Sequence, residues 1–317
     1  MLPHRPRLIR AVAVLAFCGL AACVPVQPTV PAPVPPVREQ PAAPPPAAPS
    51  AASESARAHY AAVQAELLGR GLLRTDGGVT DAPYTDRMLA ENFVRIALYD
   101  EYYRTSQGLV AQPTASRLRR WDQPVRVALR FGESVPLDRR ATDQARIGSF
   151  LARLARITGH SIRLSDTNPN FFIYIVNEDE RRALGPAINA ALPGLSPAEV
   201  AGITQLPRST YCLVYAMSTG SGSTYNRALA VIRSEHPDLM RLSCIHEEIA
   251  QGLGLANDSP TARPSIFNDD EEFALLTPMD EAMLKILYNP ALRPGMTEAE
   301  ARPIIFPLAT ALTGGES

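Results

Sequence analysis

Long apolar runs are scarce in this sequence. Beyond the first two dozen residues no stretch of about 18 apolar residues occurs, so nothing further along reads as a membrane-spanning helix. There is no basic block past the N-terminus, and the formal net charge is only −1. That balance speaks against a nucleic-acid partner. The Gly/Ser-rich stretch "TGSGSTYN" lacks the G-K-[ST] of a phosphate loop and reads as a hairpin connection. Cysteine is sparse, at four in 317 residues.

What is present begins at the N-terminus. Arg5, Arg7 and Arg10 precede the apolar run "AVAVLAFCGLAAC", which is too short for a permanent span and reads as a secretory signal over residues 1–22. The run ends in Leu20-Ala21-Ala22-Cys23, which resembles the bacterial lipobox. That resemblance implies a diacylglycerol on Cys23; plain secretion with cleavage after a small residue is the alternative. Val24 rather than aspartate follows the cysteine, which by the same resemblance favours the outer membrane, facing the periplasm. Residues 23–50 are nearly all Pro, Ala and Val, and lack the side chains for a core. They read as a polyproline-like tether of at most ~80 Å. Cys18 leaves with the signal, so Cys212 and Cys244 remain. In an oxidising periplasm they are expected to pair, two buried thiols being the alternative.

The rest reads as mixed α/β. "SESARAHYAAVQAELLGRGLL" and "DRMLAENFVRIALYDEYYR" carry helical periodicity and suggest an N-terminal helical hairpin over 51–118. From Trp121 the pattern changes. "PVRVALRFG", "HSIRLS", "NFFIYIVN", "TYCLVYAMS" and "RALAVIRS" read as strands. "TDQARIGSFLARLARITG" reads as a helix capped by Thr142 and stopped by Gly159. Further helices are expected in "EDERRALGPAINAAL" up to the Gly185-Pro186 break, at "PDLMRLSCIHEEIAQGLG" and at "TPMDEAMLKILY", the last before a Pro-rich tail. The expected fold class is therefore α+β, with one α/β domain over 119–317.

One helix holds the most informative motif, "CIHEEIAQGLGLANDS" (244–259). His246-Glu247 opens like H-E-x-x-H, but Ala250 stands where the second histidine belongs. Shifted by one, "EEIAQGLGLAN" resembles the long zinc signature of the metzincin peptidases, H-E-x-x-H-x-x-G-x-x-H. Glu247, Gln251 and Asn257 then fall on the three ligand positions, Glu248 on the general base and Gly254 on the turn glycine. "PSIFND" resembles the methionine turn of that superfamily, with Phe267 in the methionine's place, and "LLTPMDEAMLKILYN" resembles its final helix. The resemblance implies a zincin-like (metzincin-like) domain: a mixed twisted sheet with an active-site-type helix. The chain as a whole also resembles an uncharacterised proteobacterial lipoprotein family built on a domain of unknown function. "NFVRIALYDEY", "LRRWDQPVRVALRFG" and "LRPGMT" suit that family, which carries no established activity.

Zinc prefers imidazole and thiolate, whereas these ligand positions offer one carboxylate and two neutral amides. No zinc or other cofactor is expected there. A weak hard-cation site recruiting Asp258, Asp269 or Asp270 is a second reading, and a hydrogen-bonded polar cluster of Glu247, Gln251 and Asn257 is the plainest. His246 reads as a packing or surface residue, His236 as a loop residue. Ser265 and the serines of "STGSGS" show no His/Asp pairing. The expectation is a lipid-anchored envelope protein with an inactive peptidase-like domain. It would act as a binding or scaffold module for a peptide or an envelope protein. A metal-dependent hydrolase with atypical ligands and a purely structural lipoprotein are the alternatives.

Overall fold

The computed structural model describes residues 48–105, 108–220 and 222–315; side chains within 101–113 are not among those described. The expected signal, the expected lipidation at Cys23 and most of the expected tether lie outside these residues. No helix among the described residues is long and apolar enough to cross a membrane.

Alternating apolar strands build the sheet. β4 (Val125–Phe131), β5 (Ile162–Leu164), β6 (Phe171–Val176) and β8 (Thr224–Arg233) run parallel in the order β5-β4-β6-β8. The two-residue strand β3 (Arg120–Trp121) adds in parallel to the start of β8. β7 (Cys212–Ser218) pairs antiparallel with β8, from Cys212–Ile232 to Ser218–Tyr225. Tyr225 is matched with both Trp121 and Ser218, so β3 and β7 flank β8 on opposite sides, and β7 forms the edge.

The period of two sends alternate side chains to two cores. Ile173, Ile175, Ala228, Ala230 and Ile232 face the larger one. There they meet α3 (Leu137–Thr158) through Ile147, Phe150 and Leu154, and α7 (Asp238–Leu253) through Ile245 and Ile249. Val176, Leu229 and Val231 face the smaller one, roofed by α5 (Gly185–Ala191) and α6 (Pro197–Thr204). Helices on both faces of a mostly parallel sheet make the domain a mixed α/β structure, consistent with the expected α+β class. α6 went unread in the sequence, although Ser196-x-x-Glu199 forms a capping box there.

Four expectations differ from the structure. The second helix, α2 (Asp86–Ala97), stops at the Leu98 cap. The residues after it form a β-hairpin of β1 (Tyr99–Thr105) and β2 (Gly108–Ala115), because Tyr, Thr and Val pack readily on a pleated surface. The 51–118 segment is also not a separate helical hairpin. α1 (Ala51–Gly69) sets Ala56 and Tyr60 against Met240 of α7, whereas α2 lies in the main core. The described residues accordingly fall in one compact unit that runs across position 118. Thr142 is not a cap, since α3 starts five residues earlier behind Pro136. The Pro-rich tail forms a helix, α9 (Glu298–Thr313), with Pro303 and Pro307 inside it. Its Thr297–Glu300 capping box and the burial of Ala301, Ile305 and Ala309 offset the lost hydrogen bonds.

A buried ionic cluster ties α1, the sheet and the approach to β7. Glu178, on α4 (Glu178–Arg182), accepts Arg181 at 2.8 Å and Arg233 at 2.9 Å. Arg233 also donates to the carbonyls of Leu206 (2.9 Å) and Pro207 (2.8 Å), which fixes the loop entering β7. Ser53 of α1 donates to Glu235 at 2.7 Å, and the same oxygen accepts the Glu178 backbone N–H. Removing one partner strands buried charge. Arg233→Met is expected to lower unfolding free energy by about 3–5 kcal/mol in urea titrations, with Glu178→Gln/Arg233→Met costing less than the sum of the single changes.

Candidate functional site

α7 carries the residues singled out above, and its last turn is clamped. Trp121 Nε1 donates to the Gly252 carbonyl at 2.8 Å and the Tyr288 hydroxyl to the Leu253 carbonyl at 3.0 Å, satisfying acceptors that a helix end leaves open. Gly254 turns the chain with φ 128°. A Cβ there would collide with the Arg119 carbonyl oxygen, so glycine is required both sterically and conformationally.

Beyond the turn, Asn257 is buried and committed elsewhere. Its Nδ2 donates to the Arg95 carbonyl at 2.9 Å, and its backbone N–H to that of Ile96 at 3.1 Å. Gln251 Nε2 donates to Asp258 Oδ1 at 3.3 Å. Glu247, Glu248 and Gln251 line one cleft of about 700 Å³ between α7 and the edge strand β7, and Asn257 does not. The three positions of the zinc signature therefore do not converge, and the donor set does not fit zinc.

His246 is buried in the core. Its ring stacks on Phe150 with centroids 3.9 Å apart, and Nδ1 accepts the Leu276 N–H at 3.1 Å. An acceptor Nδ1 makes the ring the neutral Nε2–H tautomer, and burial holds its pKa down at about 3. His236 sits in the loop between β8 and α7, as expected, and is likewise buried. It stands edge-on to Tyr60 with Nδ1 3.7 Å from Cys244 Sγ, and burial and nearby arginines push its pKa to about 3.

The Phe267 turn is built as a unit. Ser265 Oγ donates to Asp280 Oδ1 at 2.6 Å and accepts the Phe267 N–H at 3.0 Å. Asp280, near the start of α8 (Pro278–Leu287), also accepts the Ile266 and Thr277 N–H groups. Full burial pushes its pKa up to about 6. Ser265 is thus an architectural hydroxyl.

Cys212 and Cys244 form a disulfide, Cα to Cα 5.9 Å, joining the edge strand to α7 at the cleft wall. Six carboxylates line the cleft: Asp100, Glu247, Glu248, Asp258, Asp269 and Glu271. Arg119 is the one cation among the described lining residues, and it pairs with Asp100. Burial, with Asp270 and Asp269 nearby, pushes Glu271 up to about 7. Asp100 and Arg119 were not anticipated as site residues, since the hairpin and the approach to β3 meet α7 only in three dimensions.

A family model described as "Protein of unknown function (DUF2927)" matches residues 86–306, more than half of the chain. The chain belongs to that family. The matched region holds the sheet, α7 and most of α9, and leaves α1 outside. No curated protein and no solved structure matches the chain.

Two outcomes are expected. Gly254→Ala should cost about 3 kcal/mol or more in unfolding free energy, from backbone strain plus collision with Arg119. His246 has a folded pKa below its unfolded value, so its stabilisation is complete above about pH 6.5 and is lost as pH falls toward 3. Between pH 7 and pH 5 the wild type should lose about 2 kcal/mol more than His246→Gln, measured by urea unfolding at each pH.

Proposed function

We propose that this protein is a lipid-anchored binding module of the cell envelope, with Cys23 as its anchor and a zincin-like domain that works without a catalytic metal. An antiparallel edge strand beside a long helix, a glycine-governed chain reversal at that helix's end and a tight turn around Phe267 support the zincin-like reading. The cleft between β7 and α7 is the binding surface. An extended peptide segment lies along β7, and the carboxylates on the α7 side meet its cationic groups.

One observation carries the reading. Glu247, Glu248 and Gln251 share a cleft of ligand size, while Asn257 and His246 are held elsewhere by hydrogen bonds. The cleft keeps its walls and lacks the donor set of a zinc peptidase. Glu248 as a general base would need a Lewis acid beside it to activate water for peptide hydrolysis, and Gln251 and Asn257 are not the imidazoles that hold one in a zinc peptidase. The Pro/Ala-rich tether would hold the domain off the membrane and let it reach a partner.

The test begins with metal content. Oxidised protein purified from a periplasm without chelator or nickel resin should hold no stoichiometric metal, and neither should Glu247→Ala/Gln251→Ala. About one metal per chain, lost in the variant, would replace the binding reading with a hydrolase. In parallel, extended peptides selected on the wild type should lose at least about tenfold in affinity on Glu247→Lys, through charge reversal in the cleft. Unchanged affinity would remove the cleft as the binding surface.

A further inference from the structure

The sulfur that the disulfide occupies lies among carboxylates. Cys212 Sγ and a carboxylate oxygen from each of Glu247 and Glu248 lie within 4.8 Å of one another. Sulfur–metal and oxygen–metal bonds of about 2.3 and 2.0–2.2 Å place one cation between such atoms after small rotamer changes. The donors come from two elements, β7 and α7, and all three residues line the cleft, so an ion has a route from solvent. They are not the ligand set of the zinc signature, of which only Glu247 takes part; Glu248 stands at its general-base position.

We propose that Cys212, Glu247 and Glu248 form a divalent-cation site that the Cys212–Cys244 disulfide holds closed and that reduction by a dithiol opens. In the oxidised chain the Cys212 sulfur is spent in the S–S bond and carries no charge. A dithiol delivers two electrons and two protons. The S–S bond breaks, two S–H groups form, and the donor closes into its own disulfide. Cys244 then has a ready partner, because its sulfur lies 3.7 Å from the buried His236 Nδ1. That imidazole is neutral at physiological pH, and its Nδ1 accepts a hydrogen bond from the Cys244 S–H, which keeps its proton. Cys212, on the cleft side, gives its proton to solvent as the cation binds, since the thiolate is the ligand. One thiolate with two carboxylates selects a thiophilic divalent ion such as zinc or cadmium over magnesium. The inference stands apart from the peptide-binding reading: a cleft that binds no peptide would still hold the site.

The deciding experiment uses cobalt(II), whose bonds to thiolate give an intense near-ultraviolet charge-transfer band. Full-length protein is titrated oxidised and after treatment with a phosphine, which takes its oxygen from water and leaves two thiols. The band is expected only in the reduced protein, at about one cobalt per chain. Cys244→Ser leaves Cys212 as a permanent thiol and should show the band with no reductant. Cys212→Ser, which breaks the same disulfide, should not. Glu247→Gln/Glu248→Gln in the Cys244→Ser background should weaken binding roughly 10–100-fold. Equal bands in the two single-cysteine variants would overturn the proposal, as would no band in a folded Cys244→Ser protein. Unfolding on reduction would overturn it as well, because the site needs α7 and β7 to stay together.

Discussion

The clamp on the last turn of α7 is the constraint on which the rest depends. A helix ending inside a protein must satisfy its final carbonyls. Here Trp121 and Tyr288, from distant parts of the chain, donate to Gly252 and Leu253. Gly254 then lets the chain reverse against the Arg119 carbonyl. The close approach extends along the helix: a Cβ at Gly252 would overlap Phe171 of the central strand β6. Two glycines and two aromatic donors thus fix the depth and rotation of α7 on the sheet. The orientation of the cleft carboxylates and the reach of the disulfide follow from that placement.

The electrostatics fall into two regimes. In the interior, several buried charges are matched by ions of opposite sign: Glu178 by Arg181 and Arg233, Asp143 by Arg241. Such pairs specify an arrangement more than they stabilise it, since each charge forfeits hydration. In the cleft the balance is broken, with six carboxylates facing one paired arginine. Burial first, and like charges second, raise the affinity of Glu271 for protons, and gathering carboxylates in a concave wall costs stability. A cationic occupant of the proposed kind would offset that cost.

Much of the architecture was legible because it rests on local period. β4, β6 and β8 alternate or run apolar as core strands do, and Gly159 ends α3 in the left-handed conformation. The misreadings share a different cause. Residues 99–105 continue a helical apolar pattern but pair with β2, so a partner strand outweighed a local preference. Pro303 and Pro307 read as helix breakers, yet burial of Ala301, Ile305 and Ala309 against the core holds the helix. His236 lies in the loop before α7, as expected, but its burial was not legible, because the ring of Tyr60 that covers it comes from α1, more than 170 positions away.

The motif itself was open to a purely geometric decision. On an α-helix, positions i, i+3, i+4 and i+7 share a face. Cys244, Glu247, Glu248 and Gln251 form such a stripe, and so do His246, Ile249, Ala250 and Leu253. The second stripe is apolar but for the histidine, so it must face the core, and a histidine within it must be neutral and bonded. The first is polar and must face the opening, beside whatever Cys244 joins. The frame that begins at Glu247 therefore faces the cleft, and the His246 frame is buried against Phe150 and the Leu276 N–H. Helix register decides between the two readings before any metal is considered.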